Sequence, residues 1–228
     1  MTERVSTGIP LLDKDLDGGF PTGSTVLVIG DKNTGVHQLA NYFIYKGHKE
    51  NNEDLYITLS QQPSSVKDNS KHYGWDLSKD QLTFVDGYSW QMDEPESPFS
   101  VTGLSDMNEI SMTVIDALNS MSQQPNRTVI NSVTTLLNYM NTSPATRLTK
   151  VISSKTNKGG GVTLLTMYDS VHEDQTKAKF KNIADGVILL KKRNNTVYLG
   201  IDQMRKTDLS KQWRKLEINS KNGLNLKK

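Results

Sequence analysis

The chain has 228 residues, no cysteine and a formal net charge of +2. Its length suits a single α/β domain, and the lack of cysteine excludes a thiolate nucleophile and cysteine-ligated zinc or iron–sulfur sites. The near-balanced charge argues against a dedicated nucleic-acid binder, and no apolar run reaches the ~18 residues of a membrane span. We therefore expect residues 1–228 to form one domain of a cytoplasmic protein without a membrane or nucleic-acid partner.

Five short apolar runs, rich in β-branched residues, predict the strands of a parallel sheet that is covered on both faces. These runs are Val26–Ile29, Leu55–Leu59, Leu82–Val85, Thr128–Ile130 and Val162–Met167. Between them, apolar residues recur at helical spacing. Two such segments begin near Val36 and Ile110, and Ser105 or Asp106 can cap the second. The alternation of strands and helices predicts a doubly wound α/β domain.

The last quarter of the chain has a different pattern. "DGVILLKKRNNTVYLGIDQMR" reads as strand, polar turn and strand, and Asn194-Asn195 tolerates the positive φ of a tight hairpin. Another short strand follows Trp213, and Asn222-Gly223 is typical of a further turn. We expect an antiparallel edge of the sheet from about residue 185.

The stretch "VLVIGDKNTGVHQLANYF" places Gly30 and Gly35 between a strand and a helix, at the spacing of a P-loop. In a P-loop, backbone N–H groups and a helix N-terminus surround phosphate, a Lys reaches the terminal phosphates and a hydroxyl holds magnesium. Here Val36 and His37 follow the second glycine, and the loop itself carries Lys32, Asn33 and Thr34. The glycine pair alone is a weak signal, and we interpret Val36 as the start of a core-facing helix.

The four histidines are His37, His48, His72 and His172. They form no i, i+4 pair and no cluster with carboxylates at metal-ligand spacing. We therefore expect surface histidines and no metal site.

Four colinear stretches that cover nearly the whole chain resemble the KaiC-like branch of the RecA-type ATPases. The most specific are the opening "STGIPLLDKDLDGGFPTGS", the later "YGWDL", and the late "DGVI" with "MR-T". The resemblance implies a RecA-type P-loop NTPase fold, with a mostly parallel central sheet flanked by helices and antiparallel C-terminal strands. It also implies assembly into rings or filaments, with nucleotide between subunits.

The resemblance identifies the positions at which the family's ATPases carry their catalytic groups. The P-loop Lys and the following Thr or Ser correspond to Val36 and His37. A pair of Glu that activates water corresponds to Ser60 and Gln61, and the Walker B Asp corresponds to Asn131. Asn131 cannot supply the negative charge that holds a metal, although Gln61 could still orient a water molecule.

A late family motif reaches the phosphates held by the neighbouring subunit. Its Lys corresponds to Gln203 and its Gly to Lys206, whereas Met204, Arg205 and Thr207 are retained. We interpret Arg205 as an inter-subunit contact, because a site without the other catalytic groups gives it no role in hydrolysis. A solvated Arg at a strand end is the simpler alternative.

Loss of each charge-assisted hydrogen bond to phosphate costs about 1.5–3 kcal/mol, so several losses weaken ATP binding by roughly 10³-fold. We therefore predict a pseudo-ATPase with no cofactor, which acts as a regulatory or assembly subunit through protein contacts. Its partners would be further copies of the chain or a related ATPase. The alternative is a non-hydrolysing switch protein, since Lys32, Arg205 and the helix N-terminus still offer weak attraction to ATP or phosphate.

Overall fold

The computed structural model describes residues 3–50, 52–78, 80–209, 212–219 and 223–227. The strands are β1 (Arg4–Val5), β2 (Phe20–Pro21), β3 (Thr25–Gly30), β4 (Asp54–Thr58), β5 (Leu82–Asp86), β6 (Arg127–Asn131), β7 (Val162–Tyr168), β8 (Gly186–Arg193), β9 (Thr196–Met204), β10 (Trp213–Asn219) and β11 (Gly223–Lys227). The α-helices are α1 (Pro10–Asp15), α2 (Val36–Lys49), α3 (Pro63–Lys71), α4 (Met107–Ser120), α5 (Val133–Tyr139), α6 (Thr142–Thr156) and α7 (Asp174–Ile183).

Nine of these strands form one sheet in the order β11-β10-β9-β8-β3-β7-β6-β4-β5. From β8 to β5 all neighbouring strands pair in parallel, and β8, β9, β10 and β11 pair antiparallel in succession. The predicted parallel core and antiparallel C-terminal edge are therefore confirmed. Asn194 and Asn195 adopt φ of 45° and 62°, as the predicted hairpin requires. The other predicted turn includes Asn222, which lies outside the described residues.

The apolar core occupies both faces of the sheet. Along β3, Val26 and Val28 belong to one buried cluster, whereas Leu27 and Ile29 belong to the other. Successive side chains of a strand point to opposite faces, so nearly continuous apolar strands fill two cores at once. Helix α2 packs in the first cluster, and α4, α5 and α6 pack in the second. This burial fixes the strand ends from which the candidate site is built.

The helix boundaries follow from local chemistry. The Asp106 carboxylate accepts hydrogen bonds from the backbone N–H groups of Asn108 and Glu109, which caps α4 as predicted. Ser132 caps α5 in the same way, directly after β6. None of the helices in the described ranges is both long and apolar enough to cross a bilayer.

Candidate functional site

The Gly30–Gly35 loop lies at the carboxyl end of the parallel strands, as predicted, and closes on itself. The Thr34 hydroxyl is buried and donates to the carbonyl oxygen of Asp31 at 2.7 Å. The Asp31 carboxylate accepts the backbone N–H of Ser170 at 3.1 Å, which ties the loop to the segment after β7. Lys32 and Asn33 are exposed at its tip. The loop is thus held by its own groups and by a neighbouring loop.

An apolar side chain covers one side of this loop at Gly35. This residue precedes α2 with φ of 92°, a conformation that favours glycine. A Cβ atom here would lie 2.6 Å from Cδ1 of Ile218 on β10. The antiparallel edge therefore packs directly against the second glycine of the loop.

Val36 starts α2 and is 2% exposed, packed in the first core cluster. The interpretation of Val36 as a core-facing residue is confirmed. A valine at this position presents only its backbone N–H to a ligand, so the loop has no side-chain cation at its helix end.

His37 faces the sheet edge and is largely buried. Its Nε2 lies 2.6 Å from the Tyr168 hydroxyl at the end of β7, and the two rings meet edge to face. Burial lowers the pKa of His37, while the nearby Asn131 side chain opposes that shift less strongly. The imidazole is therefore neutral at neutral pH and hydrogen-bonded within the protein.

Asn131 ends β6 and is fully buried. Its amide nitrogen donates to the Tyr56 hydroxyl at 2.8 Å, and its amide oxygen accepts from the Thr166 hydroxyl at 2.7 Å. Tyr56 in turn donates to Asn41 of α2 at 2.7 Å. Burial also raises the pKa of Tyr56, which keeps the phenol protonated. Four neutral side chains, three on strands and one on α2, thus form a linear hydrogen-bond chain.

Ser60 and Gln61 follow β4 and are half-buried. The Gln61 carbonyl oxygen accepts from the Thr58 hydroxyl at 2.5 Å, and its side-chain oxygen accepts from Asn69 of α3 at 3.1 Å. The structure therefore brings both residues to the same sheet edge as Asn131 and His37, as the resemblance implied.

A cavity of about 500 Å³ opens where these groups converge. We call it the carboxyl-edge pocket. It is lined by His37, Gln38, Asn41, Ser60, Gln61, Asn69, His72, Tyr73, Ser132, Thr134, Thr135, Asn138 and Tyr168. Every lining residue carries a side-chain hydrogen-bonding group, and the set contains no Asp, Glu, Lys or Arg.

Arg205 is not brought to this pocket. It follows β9 at the opposite, amino end of the parallel strands, about 17–20 Å from the loop along the six residues of β3. Its guanidinium pairs with Asp185 at 3.0 Å, and its side chain is 54% exposed. Within one chain, Arg205 and the loop therefore lie at opposite ends of the parallel strands.

The segment after Arg205 has the backbone of a glycine turn although it carries Lys206. Lys206 adopts φ of 56°, a left-handed conformation that costs a non-glycine residue about 1 kcal/mol. Its carbonyl oxygen and the Thr207 hydroxyl both accept hydrogen bonds from Arg4. These contacts hold the turn on the N-terminal segment.

The expectation of surface histidines is correct for His72. It is wrong for His37, which is largely buried, and for His48, which is 1% exposed. His48 lies on the inner side of the last turn of α2, where core packing overrides polarity. His172 is partly buried, with Nε2 at 3.0 Å from the Thr134 hydroxyl. No group of three or more His, Asp or Glu within the described ranges could hold a metal ion.

Sequence reasoning missed three members of the hydrogen-bond chain, namely Asn41, Tyr56 and Thr166. A signal existed for Asn41, because it interrupts the apolar residues of α2 at a 4% exposed position. Tyr56 and Thr166 lie inside apolar strands, where a hydroxyl gives no periodic signal.

A KaiC ATPase family model matches residues 5–228. The chain belongs to the KaiC ATPase family. A KaiC-like protein from the hyperthermophilic archaeon Pyrococcus horikoshii has a similar crystal structure, with a TM-score of 0.81, 23% identity and coverage of 100% of both chains. At that identity the likeness concerns the fold alone.

Curated relatives include UPF0273 proteins of archaea and bacteria. The Pyrococcus horikoshii protein is 31% identical over 147 residues, which cover 62% of this chain and 58% of the relative. The Methanocaldococcus jannaschii protein is 29% identical over 170 residues, which cover 72% of this chain and 69% of the relative. The Thermotoga maritima protein is 31% identical over 142 residues, which cover 60% of this chain and 58% of the relative. The chain thus spans less than two thirds of the length of most of these relatives.

Proposed function

We propose that this KaiC-family protein does not hydrolyse ATP and acts as a regulatory or assembly subunit. The observation that carries the proposal is Asn131. At the strand end where a metal-holding carboxylate belongs, it is buried and both ends of its amide are used inside the protein. Phosphoryl transfer needs magnesium held by a carboxylate and a hydroxyl, and a cation at the terminal phosphates.

The neighbouring positions support the same conclusion. Val36 offers no cation, and the neutral His37 is engaged by Tyr168. Gln61 could orient a water molecule, but its side chain is also engaged, by Asn69. A water so oriented would meet neither a metal ion nor a Lys, so we expect no turnover.

An assembly role is favoured by Arg205. It lies at the amino end of the parallel strands, far from the loop of its own chain. It could therefore reach only the loop of another subunit. Its ion pair with Asp185 is another explanation for its presence. However, an exposed ion pair contributes only about 0–1 kcal/mol to the free energy of unfolding. The half-exposed guanidinium nevertheless remains available for a second contact.

Light scattering and a pull-down test the assembly role. We expect the purified protein to form an oligomer, or to capture an active KaiC-family ATPase, and Arg205→Ala to weaken that contact. Arg193→Ala is the matched control, because Arg193 is an exposed Arg at the other end of the β8–β9 hairpin. A monomeric wild type that captures no homologue would contradict the assembly role.

The second candidate is a switch protein that binds ATP without hydrolysing it. The observation in its favour is the exposed Lys32 at the tip of a loop that is held by an internal hydrogen bond. Magnesium-independent ATP binding that Lys32→Ala abolishes, without turnover, would favour the switch over the assembly subunit.

A further inference from the structure

We propose that the carboxyl-edge pocket binds an uncharged small molecule whose ring carries several hydroxyl groups. The inference goes beyond the proposed function and rests on it in one respect, that the strand ends do not take magnesium and ATP. The ligand could be a free sugar or the ribose of a nucleoside, since both present the same chemistry.

The first argument is charge. All thirteen lining residues bear side-chain hydrogen-bonding groups, and none is an Asp, Glu, Lys or Arg. A phosphate or carboxylate ligand requires cationic or backbone donors, and a metal requires anionic oxygen or neutral imidazole clusters. Burial lowers the pKa of His37, which keeps the pocket's most buried imidazole neutral. The pocket thus lacks the means to repay desolvation of a charged ligand.

The second argument is the type of hydrogen-bonding group. The lining includes five side-chain amides, which each offer a donor and an acceptor, at Gln38, Asn41, Gln61, Asn69 and Asn138. Four aliphatic hydroxyls add groups that can both donate and accept, at Ser60, Ser132, Thr134 and Thr135. A ring hydroxyl is also both donor and acceptor, so it can pair with each of these groups.

The third argument is availability and shape. The internal hydrogen bonds of the described residues use Asn41, Asn69, Thr134 and Thr135, but not the side chains of Gln38, Ser60 or Asn138. Tyr73 and Tyr168 add aromatic surface against which the C–H groups of a sugar ring can pack. A cavity of about 500 Å³ lies in the range that holds small molecules.

Titration calorimetry of the full chain with glucose and with adenosine tests the proposal. We expect saturable binding of at least one of them, unchanged between low and high salt, because an uncharged ligand has no Coulomb term to screen. Glucose binding would identify a free sugar as the source, and adenosine binding a nucleoside. Failure of both probes at millimolar concentration would overturn the proposal.

The double variant Gln38→Ala with Asn138→Ala tests whether the ligand binds in the carboxyl-edge pocket. Each substitution removes one or two hydrogen bonds, so we expect each to weaken the binding about fivefold to tenfold. The control is Gln123→Ala, which removes a side-chain amide at the amino end of the parallel strands. It should leave the binding affinity unchanged. Binding that the double variant leaves intact would also overturn the proposal. Magnesium-dependent ATP turnover in a parallel assay would instead overturn the proposed function, so the two failures are distinguishable.

Discussion

Two clusters of buried polar groups, around Asn131 and around Arg127, lie at opposite ends of the same sheet and are stabilised in different ways. At the carboxyl end, Asn131, Tyr56 and His37 are neutral and hydrogen-bonded to one another or to neutral neighbours. At the amino end, Arg127 is fully buried, pairs with Glu50 at 2.9 Å and lies with its guanidinium over the ring of Phe43. In a RecA-type ATPase the carboxyl end is where charge is needed for chemistry. Here the buried Arg127 pairs at the amino end, and the groups around Asn131 at the carboxyl end are neutral.

The largest effect should come from the amino end. Arg127→Ala removes the guanidinium that pairs with Glu50 and donates to the carbonyl oxygen of Ser6, whereas the backbone N–H that donates to Asp54 is kept. We expect a loss of about 3–5 kcal/mol in the free energy of unfolding, because a buried ion pair loses one of its partners. Denaturant titration measures this loss. Arg127→Met, which keeps the volume, should lose less, and the exposed Arg193→Ala should change little. A loss below about 1 kcal/mol for Arg127→Ala would contradict a structural role for the buried charge.

The next effect should come from adding charge to the carboxyl end. Asn131→Asp places a carboxylate in a fully buried neutral chain and removes the donor to Tyr56, so we expect a loss of about 2–3 kcal/mol that magnesium does not reverse. Thermal unfolding with and without magnesium measures it. Asn138→Asp, the same change at an exposed position of the pocket, is the control. Stabilisation of the Asn131→Asp variant by magnesium would show that a metal site survives.

A smaller effect concerns pH at the amino end. Burial raises the pKa of Asp54 to about 8, more than Arg127 lowers it, and one carboxylate oxygen has no hydrogen-bond partner among the described residues. The folded state therefore holds a proton that the unfolded state releases between about pH 4 and pH 8, so stability declines as the pH rises through that window.

We expect this decline between about pH 5 and pH 8 to be reduced in Asp54→Asn. Chemical unfolding at several pH values measures it. An equally steep decline in the Asp54→Asn variant would assign the pH dependence to other groups.

The smallest effect should come from Lys32→Ala at the exposed loop tip. We expect the free energy of unfolding to change by less than about 0.5 kcal/mol, because the loop is held by Thr34 and Asp31. A larger loss would mean that Lys32 holds the loop in place.

The sequence predicted the order of strands and helices well, because buried parallel strands such as Val26–Ile29 are nearly continuous apolar runs. It also predicted that Gly30, Ser60, Gln61 and Asn131 lie together at the carboxyl ends of the parallel strands, because each follows a predicted strand. It could not predict that Ile218 covers Gly35 or that Asn131 pairs with Tyr56 and Thr166. Those contacts join residues far apart in the chain, and their hydrogen-bonding capacity shows no periodicity.

Calorimetric titration with ATP and magnesium, followed by a hydrolysis assay on the same sample, tests the central claim most directly. We predict no magnesium-dependent heat of binding and no phosphate release above background, because the strand ends offer neither a metal-holding carboxylate nor a loop lysine at the helix end. Magnesium-dependent binding with turnover, abolished by a substitution within Gly30–His37, would contradict the account.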